Sequence, residues 1–454
     1  MAAIVTVALV AGLVAWRLAA ARGGRTHVPN IVFILTDDQR WDTMQVMPEV
    51  RRLLDAHGIT FENSFVSTSL CCPSRATILT GRYSHHTGVY GNSRPHGGAT
   101  AFHDRSTVAT WLHAAGYDTA LVGKYLNDYQ LLGQTYIPPG WDQWVTIAQR
   151  DQIKYYDYTL NDNGRLEQFG HTRDQYSTTV LTDQALAFVR QAKPPFFLYF
   201  APIAPHEPPV PAARDKGYYA NVPPWRPPSY DEPDATDKPW ERSHPQLTRR
   251  YRDLIDSIHE RMLESLRAVD RSVAQLIDAL RAKGVLNDTV VIFTSDNGYL
   301  WGEHRLKGKI WPYEESIRVP LVVRVPWVDQ AATDRHLVSN VDLASTFAEL
   351  AGTTPGLPQD GRSLVPLLHR QSPAWPDAIL VEDLAKPGIA YFGPLDFDAI
   401  RTDRYLYVEY RPRGRELYDL KRDPYELDNL AGTPRVASVE QQLAAKLHAL
   451  VRGP

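Results

Sequence analysis

The reactive chemistry of this chain centres on two adjacent cysteines, its only thiols. Cys71 and Cys72 are followed by Pro73, Ser74 and Arg75, and the residues beyond them are typical of a helix. A nucleophile at the junction of a loop and a helix, with a cation about one turn away, is suited to attack on an anionic ester. Because the two cysteines are neighbours, they cannot build a disulfide framework. The segment therefore predicts a reactive site.

Carboxylate and amide side chains follow two runs of apolar residues that are typical of buried strands. Adjacent carboxylates repel one another, and a bound cation would offset that repulsion. Oxygen ligands without a thiolate or an imidazole favour a hard ion, Ca²⁺ or alternatively Mg²⁺. Taken alone, each pair is also compatible with an ordinary turn or loop. The residues are Asp37 and Asp38 after the run 30–35, and Asp296 and Asn297 after the run 289–294.

A second set of side chains is cationic or can carry a proton. Several of them follow predicted strands, and ligands bind at the carboxyl ends of strands in open α/β sheets. Lys124 and Lys309 alone could be solvated surface lysines, and His206 alone could be structural. Together with a cation and a nucleophile, the set predicts a pocket for an oxyanion such as sulfate or phosphate. The set comprises Arg75, Lys124, His206, Lys309 and, close to the last of these, His304.

Segments typical of strands and of helices alternate along most of the chain. This alternation predicts an α/β fold, with a large, mostly parallel sheet covered by helices on both faces. After about residue 377 the pattern becomes typical of paired antiparallel strands, followed by a closing helix. We expect an N-terminal segment at 1–27, a catalytic domain at 28–377, and a small C-terminal α+β domain with an antiparallel sheet at 378–454.

The N-terminal segment is apolar but shorter than the roughly 20 residues that usually span a membrane. It resembles a signal peptide, although the usual basic start is missing. An uncleaved anchor and a cytoplasmic start are the alternatives. We therefore expect an exported protein, secreted, periplasmic or in the cell envelope, with membrane contact only through this segment. The formal net charge of −3 argues against a nucleic-acid partner.

Residues 202–239 are rich in proline, tryptophan and tyrosine, which predicts a long surface loop. This loop could form an aromatic wall over a pocket, or it could be a plain surface excursion. Its aromatic residues, with those of the segment 155–158, suggest surfaces on which a sugar could stack.

The cysteine segment resembles the signature of the sulfatases, the formylglycine-dependent branch of the alkaline-phosphatase-like superfamily. The pattern C-x-P-S-R begins at Cys71 and continues to Leu79-Thr80-Gly81, and Cys72 fills its variable position. The resemblance implies that Cys71 is oxidised to Cα-formylglycine by a formylglycine-generating enzyme. It also implies an alkaline-phosphatase-like fold.

The resemblance extends over nearly the whole chain and implies roles for most candidate residues. One departure is Leu126, where many arylsulfatases have histidine, and this version resembles the N-acetylglucosamine-6-sulfatase branch. We hypothesise that Asn127 hydrogen-bonds the aldehyde hydrate in place of that histidine. The implied metal ligands are Asp37, Asp38, the modified Cys71, Asp296 and Asn297. The implied substrate-binding residues are Lys124, Asn127, His206 and Lys309, and the catalytic set is Cys71, Arg75, Lys124, His206, Lys309 and His304.

The implied function is hydrolysis of sulfate monoesters, on a sulfated glycan or a small aryl sulfate. One hydroxyl of the hydrated aldehyde attacks sulfur, and the other allows sulfate to leave as the aldehyde returns. His206 is the first candidate for the acid that protonates the leaving alcohol, and His304 is the second. Two other functions remain open: a phosphate or phosphonate ester hydrolase, and a non-catalytic protein that binds sulfated glycans if Cys71 is never modified.

Overall fold

The structure is a computed structural model that describes residues 28–150, 152–240, 244–328, 330–384, 396–412 and 414–452. The predicted signal or anchor segment at 1–27 lies outside the described residues. Within these ranges, no helix combines the length and the apolar character needed to cross a bilayer.

Strands and helices follow one another along the chain, as the sequence predicts. The strands are β1 Asn30–Thr36, β2 Gly58–Phe61, β3 Ser64–Phe65, β4 Asp118–Gly123, β5 Gln143–Ile147, β6 Tyr158–Asp162, β7 Arg165–Phe169, β8 Phe196–Ala201, β9 Thr289–Ser295, β10 Leu300–Trp301, β11 Lys307–Gly308, β12 Leu321–Arg324, β13 Ala332–Asp334, β14 Val338–Ser339, β15 Ala378–Asp383, β16 Asp396–Thr402, β17 Tyr405–Arg411 and β18 Arg415–Asp419.

The α-helices range from single turns to one of 35 residues. They are α1 Pro48–Leu53, α2 Cys71–Thr80, α3 Ser84–Thr87, α4 Val108–Ala114, α5 Ser177–Gln191, α6 Arg249–Lys283, α7 Glu314–Ile317, α8 Asp342–Leu350, α9 Val365–Leu368 and α10 Ala437–Arg452. Short 3₁₀ turns lie at Trp41–Val46, Asp55–His57, Tyr129–Leu132, Arg173–Gln175, Leu286–Asp288 and Pro434–Val436.

A ten-stranded sheet forms the centre of the molecule, in the order β13-β2-β12-β9-β1-β8-β4-β5-β6-β7. The five strands from β9 to β5 in that order are parallel to one another. Strands β12 and β6 run antiparallel to their neighbours β9 and β5. The predicted mostly parallel sheet is therefore confirmed, with antiparallel strands added towards both edges.

Both faces of the central sheet are covered, which explains why every residue of β1 is buried. Val32 and Ile34 pack into a core that also contains residues of α5 and α6. Ile31 and Phe33 point to the opposite face, where residues of α2, α4 and α8 complete a second core. Side chains of alternate residues in a strand point to opposite faces, so an unbroken apolar strand requires cover on both sides.

Helix α2 begins at Cys71 and lies wholly inside the protein, with all ten residues buried. It ends at Thr80 and is followed by Gly81, whose φ of +69° is the left-handed conformation that suits glycine after a helix. A surface helix has one polar face, whereas this one has none exposed. Its first turn is therefore held on every side by the surrounding core.

The C-terminal region forms a separate four-stranded antiparallel sheet in the order β15-β16-β17-β18. Helix α10 packs on one face of this sheet through Leu443 and Leu447. The other face packs against the central part of the protein through residues such as Val381 and Phe397. The predicted antiparallel unit is confirmed. The boundary at 377/378 stays a prediction, and β15 begins at Ala378.

Strands β4 and β8 approach each other so closely at Gly123, the residue before Lys124, that a side chain there should lower stability. Gly123 has a φ of +125°, and a Cβ there would lie 2.0 Å from the carbonyl oxygen of Ala201. Gly164 has a φ of +88°, but a Cβ there would meet nothing within 4 Å. We expect Gly123→Ala to lower the free energy of unfolding by about 1–3 kcal/mol more than Gly164→Ala, because only the first forces neighbouring backbone apart. Thermal unfolding of both variants measures this difference, and equal losses would contradict it.

Candidate active site

The site lies at the carboxyl ends of the parallel strands. Strands β1 and β9 pair in register through Thr36 and Ser295, so the residues that follow them are neighbours. The backbone N–H of Asp38 donates to Asp296 Oδ1 over 3.2 Å, which ties the two strand ends together. The N-terminus of α2 approaches the same point, with Cys71 Sγ 3.6 Å from Asp37 Oδ1.

Oxygen atoms in this cluster are buried without partners, as they would be if a cation were meant to bind them. Asn297 donates its amide N–H to Asp38 Oδ1 over 2.7 Å. The second carboxylate oxygen of Asp38, Oδ2, and the amide oxygen of Asn297, Oδ1, have no hydrogen-bond partner. One ligand atom from each of Asp37, Asp38, Cys71 and His206 lies within 4.8 Å of the others. The carboxylates of Asp37 and Asp38 and the amide oxygen of Asn297 fit a Ca²⁺ ion, which prefers such oxygens, whereas the unmodified thiol and the His206 imidazole do not.

Two lysines neutralise the carboxylates. Lys124 Nζ donates to Asp37 Oδ2 over 2.6 Å, and Lys309 Nζ bonds Asp38 Oδ1. Burial would raise the pKa of Asp37, but the charges of Lys124, His206, Arg75 and Lys309 outweigh it and hold this pKa far below its usual range. Both lysines are therefore ion-paired groups of the site, and the surface-lysine alternative does not apply.

Arg75 contacts two carboxylates and one backbone carbonyl of the site. Its Nε donates to Asp296 Oδ2 over 2.8 Å, and another guanidinium nitrogen donates to the carbonyl of Lys124 over 2.9 Å. A third nitrogen lies 3.4 Å from Asp37 Oδ2. The side chain is fully buried. Arg75 therefore orients two of the three candidate metal-binding carboxylates, those of Asp37 and Asp296, and the backbone that presents Lys124.

The two cysteines have different surroundings. Lys309 Nζ lies 2.9 Å from Cys71 Sγ, whereas the Cys72 thiol accepts the backbone N–H of Asn127 over 2.9 Å. Burial raises the pKa of the Cys71 thiol although Lys124 and Lys309 act against it. The unmodified thiol is therefore protonated at neutral pH, a poor form for nucleophilic attack.

Asn127 lies beside Cys72 in the structure. Its side-chain Oδ1 is 3.5 Å from Cys72 Sγ. The contact of Asn127 is thus with the second cysteine and not with the first. The hypothesised bond from Asn127 to an aldehyde hydrate at Cys71 stays a prediction.

His206 joins the cluster from the loop after β8. Its Nε2 lies 3.5 Å from Asp38 Oδ2 and 3.4 Å from Lys309 Nζ. Its Nδ1 faces the carbonyl oxygen of Glu207, so this nitrogen carries the hydrogen and Nε2 is the acceptor. Burial lowers the pKa of His206 although Asp38 acts against it. Tyr155, which sequence reasoning assigned to a sugar surface, is buried and donates its hydroxyl to the His206 carbonyl over 2.8 Å.

His304 belongs to a different cluster. It is fully buried, its Nδ1 lies 2.9 Å from Glu232 Oε2, and its ring stacks on Tyr313. Burial lowers the pKa of His304 to about 3, so the ring is neutral at physiological pH. The backbone is left-handed at His304 and Arg305, with φ of +53° and +64°. The structure thus brings together every predicted side chain around Asp37 except Asn127 and His304.

Fold and site together describe an α/β protein with a buried candidate nucleophile, a candidate site for a hard cation and two lysines suited to an anion. A sulfatase family model matches residues 29–353. A second model, described as N-sulphoglucosamine sulphohydrolase, C-terminal, matches residues 302–453. The chain therefore belongs to the sulfatase family.

Known relatives agree with this membership. The chain is 31% identical to human N-acetylglucosamine-6-sulfatase, over 93% of this chain and 84% of that protein. It is 36% identical to the extracellular sulfatase SULF-1 homolog of Drosophila melanogaster, over 80% of this chain. The chain spans only 34% of the length of that relative, and 52% of the length of a Caenorhabditis elegans homolog.

Solved structures share the fold. One is a protein in complex with its substrate D-glucosamine-2-N,6-O-disulfate, with a TM-score of 0.78, 27% identity, and coverage of 92% of this chain and 97% of that one. Another is the phosphonate monoester hydrolase of Agrobacterium radiobacter, with a TM-score of 0.76, 23% identity, and coverage of 93% and 95%. The second likeness concerns the fold alone.

The unpartnered oxygens of the cluster predict the effect of removing one ligand. We expect Asp38→Asn to weaken Ca²⁺ binding by about 100-fold or more, since even changes next to metal ligands cost 10–100-fold. Asp42→Asn is the matched control, because Asp42 lies four residues away and pairs with Arg40. Calorimetric titration of the chelator-treated protein measures both affinities. Equal Ca²⁺ affinities in the two variants would mean that Asp38 is not a ligand and that the cation binds elsewhere.

Proposed function

We propose that the protein is a sulfatase that hydrolyses sulfate monoesters, with formylglycine made from Cys71 as its nucleophile and Ca²⁺ as its metal. The observation that carries this proposal is the meeting of Cys71, Lys309 and Asp37 at the buried start of α2. A nucleophile, an anion-binding cation and a metal-binding carboxylate are the three components that attack on a sulfate ester needs.

The residues of the chain have separate tasks in this proposal. Lys124 and Lys309 hold the sulfate oxygens, where charge develops during the reaction. Arg75 keeps the carboxylates of Asp37 and Asp296 in place. His206 is positioned by Glu207 and Tyr155, and it can donate to the sulfate or protonate the leaving alcohol once Nε2, the acceptor in this structure, has taken up a proton. His304 contacts Glu232 and Tyr313 instead of the residues around Asp37. His206 is therefore the preferred acid.

Two groups complete the chemistry. When hydrated, formylglycine supplies a hydroxyl for attack on sulfur and a second hydroxyl that lets the enzyme release sulfate. Asp37, Asp38, Asp296, Asn297 and the modified residue 71 would hold Ca²⁺, which would supply positive charge to the sulfate oxygens. The unpartnered oxygens of Asp38 and Asn297 support this ligand set.

The substrate class is a sulfated amino sugar or a related glycan. The named N-acetylglucosamine-6-sulfatases and the relative bound to a disulfated glucosamine support this class. Tyr155 and Tyr158 are buried and provide no sugar-stacking surface, which corrects that part of the interpretation. In the loop 202–239, Tyr218 is 59% exposed, and Arg267 packs over one face of its ring, which leaves the other face for such contact.

Export and maturation belong to the same proposal. The extracellular sulfatases among the relatives support an exported protein. A formylglycine-generating enzyme of the host would act on the C-x-P-S-R segment before folding is complete, because Cys71 is fully buried in the folded chain. The Ca²⁺ site would then form when β1, β9 and α2 come together.

The identity of the nucleophile predicts opposite effects at the two cysteines. We expect Cys71→Ser to abolish multiple turnover of an aryl sulfate, because serine has no second hydroxyl for the release of sulfate. We expect Cys72→Ala to keep turnover, because Cys72 contacts Asn127 and fills a variable position. Steady-state assays on an aryl sulfate, with an aryl phosphate as the comparison, measure this. Multiple turnover by Cys71→Ser, or faster hydrolysis of the phosphate by the native protein, would contradict the proposal.

The contacts of Lys307 and Lys309, two residues apart in the chain, predict a second difference in activity between variants. Lys309 reaches Cys71, whereas Lys307 forms an ion pair with Glu207 at 2.6 Å. We expect Lys309→Met to lower kcat by about 10²–10³-fold, the usual loss when one stabilising donor is removed. Lys307→Met should stay within about threefold of the native protein, since its ion pair with Glu207 is partly exposed and contributes little. Similar losses of kcat in both variants would mean that Lys309 supports the local structure and does not act on the sulfate.

A further inference from the structure

A second group of possible metal ligands lies outside the active site. It consists of His304, Glu315 and Glu426, and all three residues are buried. One ligand atom from each lies within 4.8 Å of the others. His304 and Glu315 lie on either side of Lys309 in the chain, whereas Glu426 comes from the C-terminal region. No single stretch of sequence contains this group.

Each of the three side chains has a buried atom without a partner. These atoms are His304 Nε2, Glu315 Oε2 and Glu426 Oε1. The exposed fractions of the residues are 0%, 6% and 1%. A buried polar atom without a hydrogen bond costs about 1–3 kcal/mol. Three such atoms, on three residues whose ligand atoms lie together, indicate that something else binds there.

The orientation of His304 favours a metal. Its Nδ1 lies 2.9 Å from Glu232 Oε2, so this nitrogen donates its hydrogen and Nε2 keeps a free lone pair. Histidines that bind metals usually donate their other ring N–H to a carboxylate or a carbonyl in this way. Burial also lowers the pKa of His304, which keeps the ring in the neutral form that a metal requires.

The two carboxylates lack a cation of their own. Among the described residues, no ion pair joins Glu315 or Glu426 to a basic side chain. The nearest arginines are occupied, since Arg40 pairs with Glu303 and Arg401 pairs with Glu314. Burial raises the pKa of Glu315 to about 8 and, with the charge of Glu315, raises that of Glu426 as well. Two buried carboxylates this close need either a shared proton or a cation.

We propose that His304, Glu315 and Glu426 form a second metal site, which binds a divalent transition metal such as Zn²⁺. One imidazole nitrogen and two carboxylate oxygens suit zinc, which binds His and Glu, better than Ca²⁺ or Mg²⁺, which prefer oxygen alone. The metal joins the C-terminal region to both ends of the segment that carries Lys309. Its role is therefore structural, and it is independent of the proposed function.

Elemental analysis of the full chain tests this site. We expect the chelator-treated protein to take up about one equivalent of Zn²⁺ after incubation with zinc and gel filtration. Glu426→Gln and Glu315→Gln should each retain less than a tenth of that amount, because the amide is a weaker ligand. Asp38→Asn should retain all of it, because that change affects only the first site. Zinc binding should also raise the Tm of the native protein.

Glu416→Gln is the matched control, since Glu416 is equally buried in the C-terminal sheet but bonds Tyr313 and Tyr418. It should keep the zinc. The proposal is overturned if the folded native protein binds no zinc, which would mean that the carboxylates share a proton. It is also overturned if Asp38→Asn loses the zinc, or if both Glu426→Gln and Glu315→Gln keep it. Far-ultraviolet circular dichroism confirms that each variant is folded, and the native and Asp38→Asn results decide the question if the glutamine variants are not.

Discussion

The structure depends on a balance of buried charges at the ends of β1 and β9. Asp37, Asp38 and Asp296 are each at most 1% exposed. Removing a carboxylate from water costs several kcal/mol unless partners compensate. Arg75, Lys124 and Lys309 are those partners. Each comes from a different part of the chain, so the site can form only when the parallel strands and α2 are assembled.

This balance also explains the unusual burial of α2. A helix with no exposed residue has to satisfy its polar side chains internally. Ser74 accepts a hydrogen bond from Asn340 over 2.9 Å, and Arg75 is held by Asp296. The first turn is thereby fixed, and residue 71 is presented to the cluster at one position. A reactive group held in this way needs no reorganisation when an anion arrives.

Much of this arrangement could be predicted from the sequence, because it follows strand ends. Apolar runs mark β1 and β9, and the carboxyl ends of neighbouring parallel strands must meet. This rule places Asp37 and Asp296 correctly without any structure. It also explains why the cluster was recognisable although its members are separated by more than 200 residues.

The direction of side chains in loops could not be predicted in the same way. His304 is only five residues from Lys309, yet the left-handed backbone at His304 and Arg305 accompanies a contact with Glu232 instead of Cys71. Asn127 likewise lies beside Cys72. Tyr155 was assigned to a surface, but its hydroxyl supports the backbone of His206. No periodic pattern fixes these directions, and the group of His304, Glu315 and Glu426 was missed for the same reason.

The central claim is that the nucleophile of this protein is an oxygen that residue 71 acquires after translation. The mass of the peptide that contains Cys71 and Cys72, released from protein that is active on an aryl sulfate, tests this claim most directly. The account predicts that residue 71 has the mass of an aldehyde and that Cys72 remains a thiol. An active protein in which both residues are unmodified thiols would contradict it.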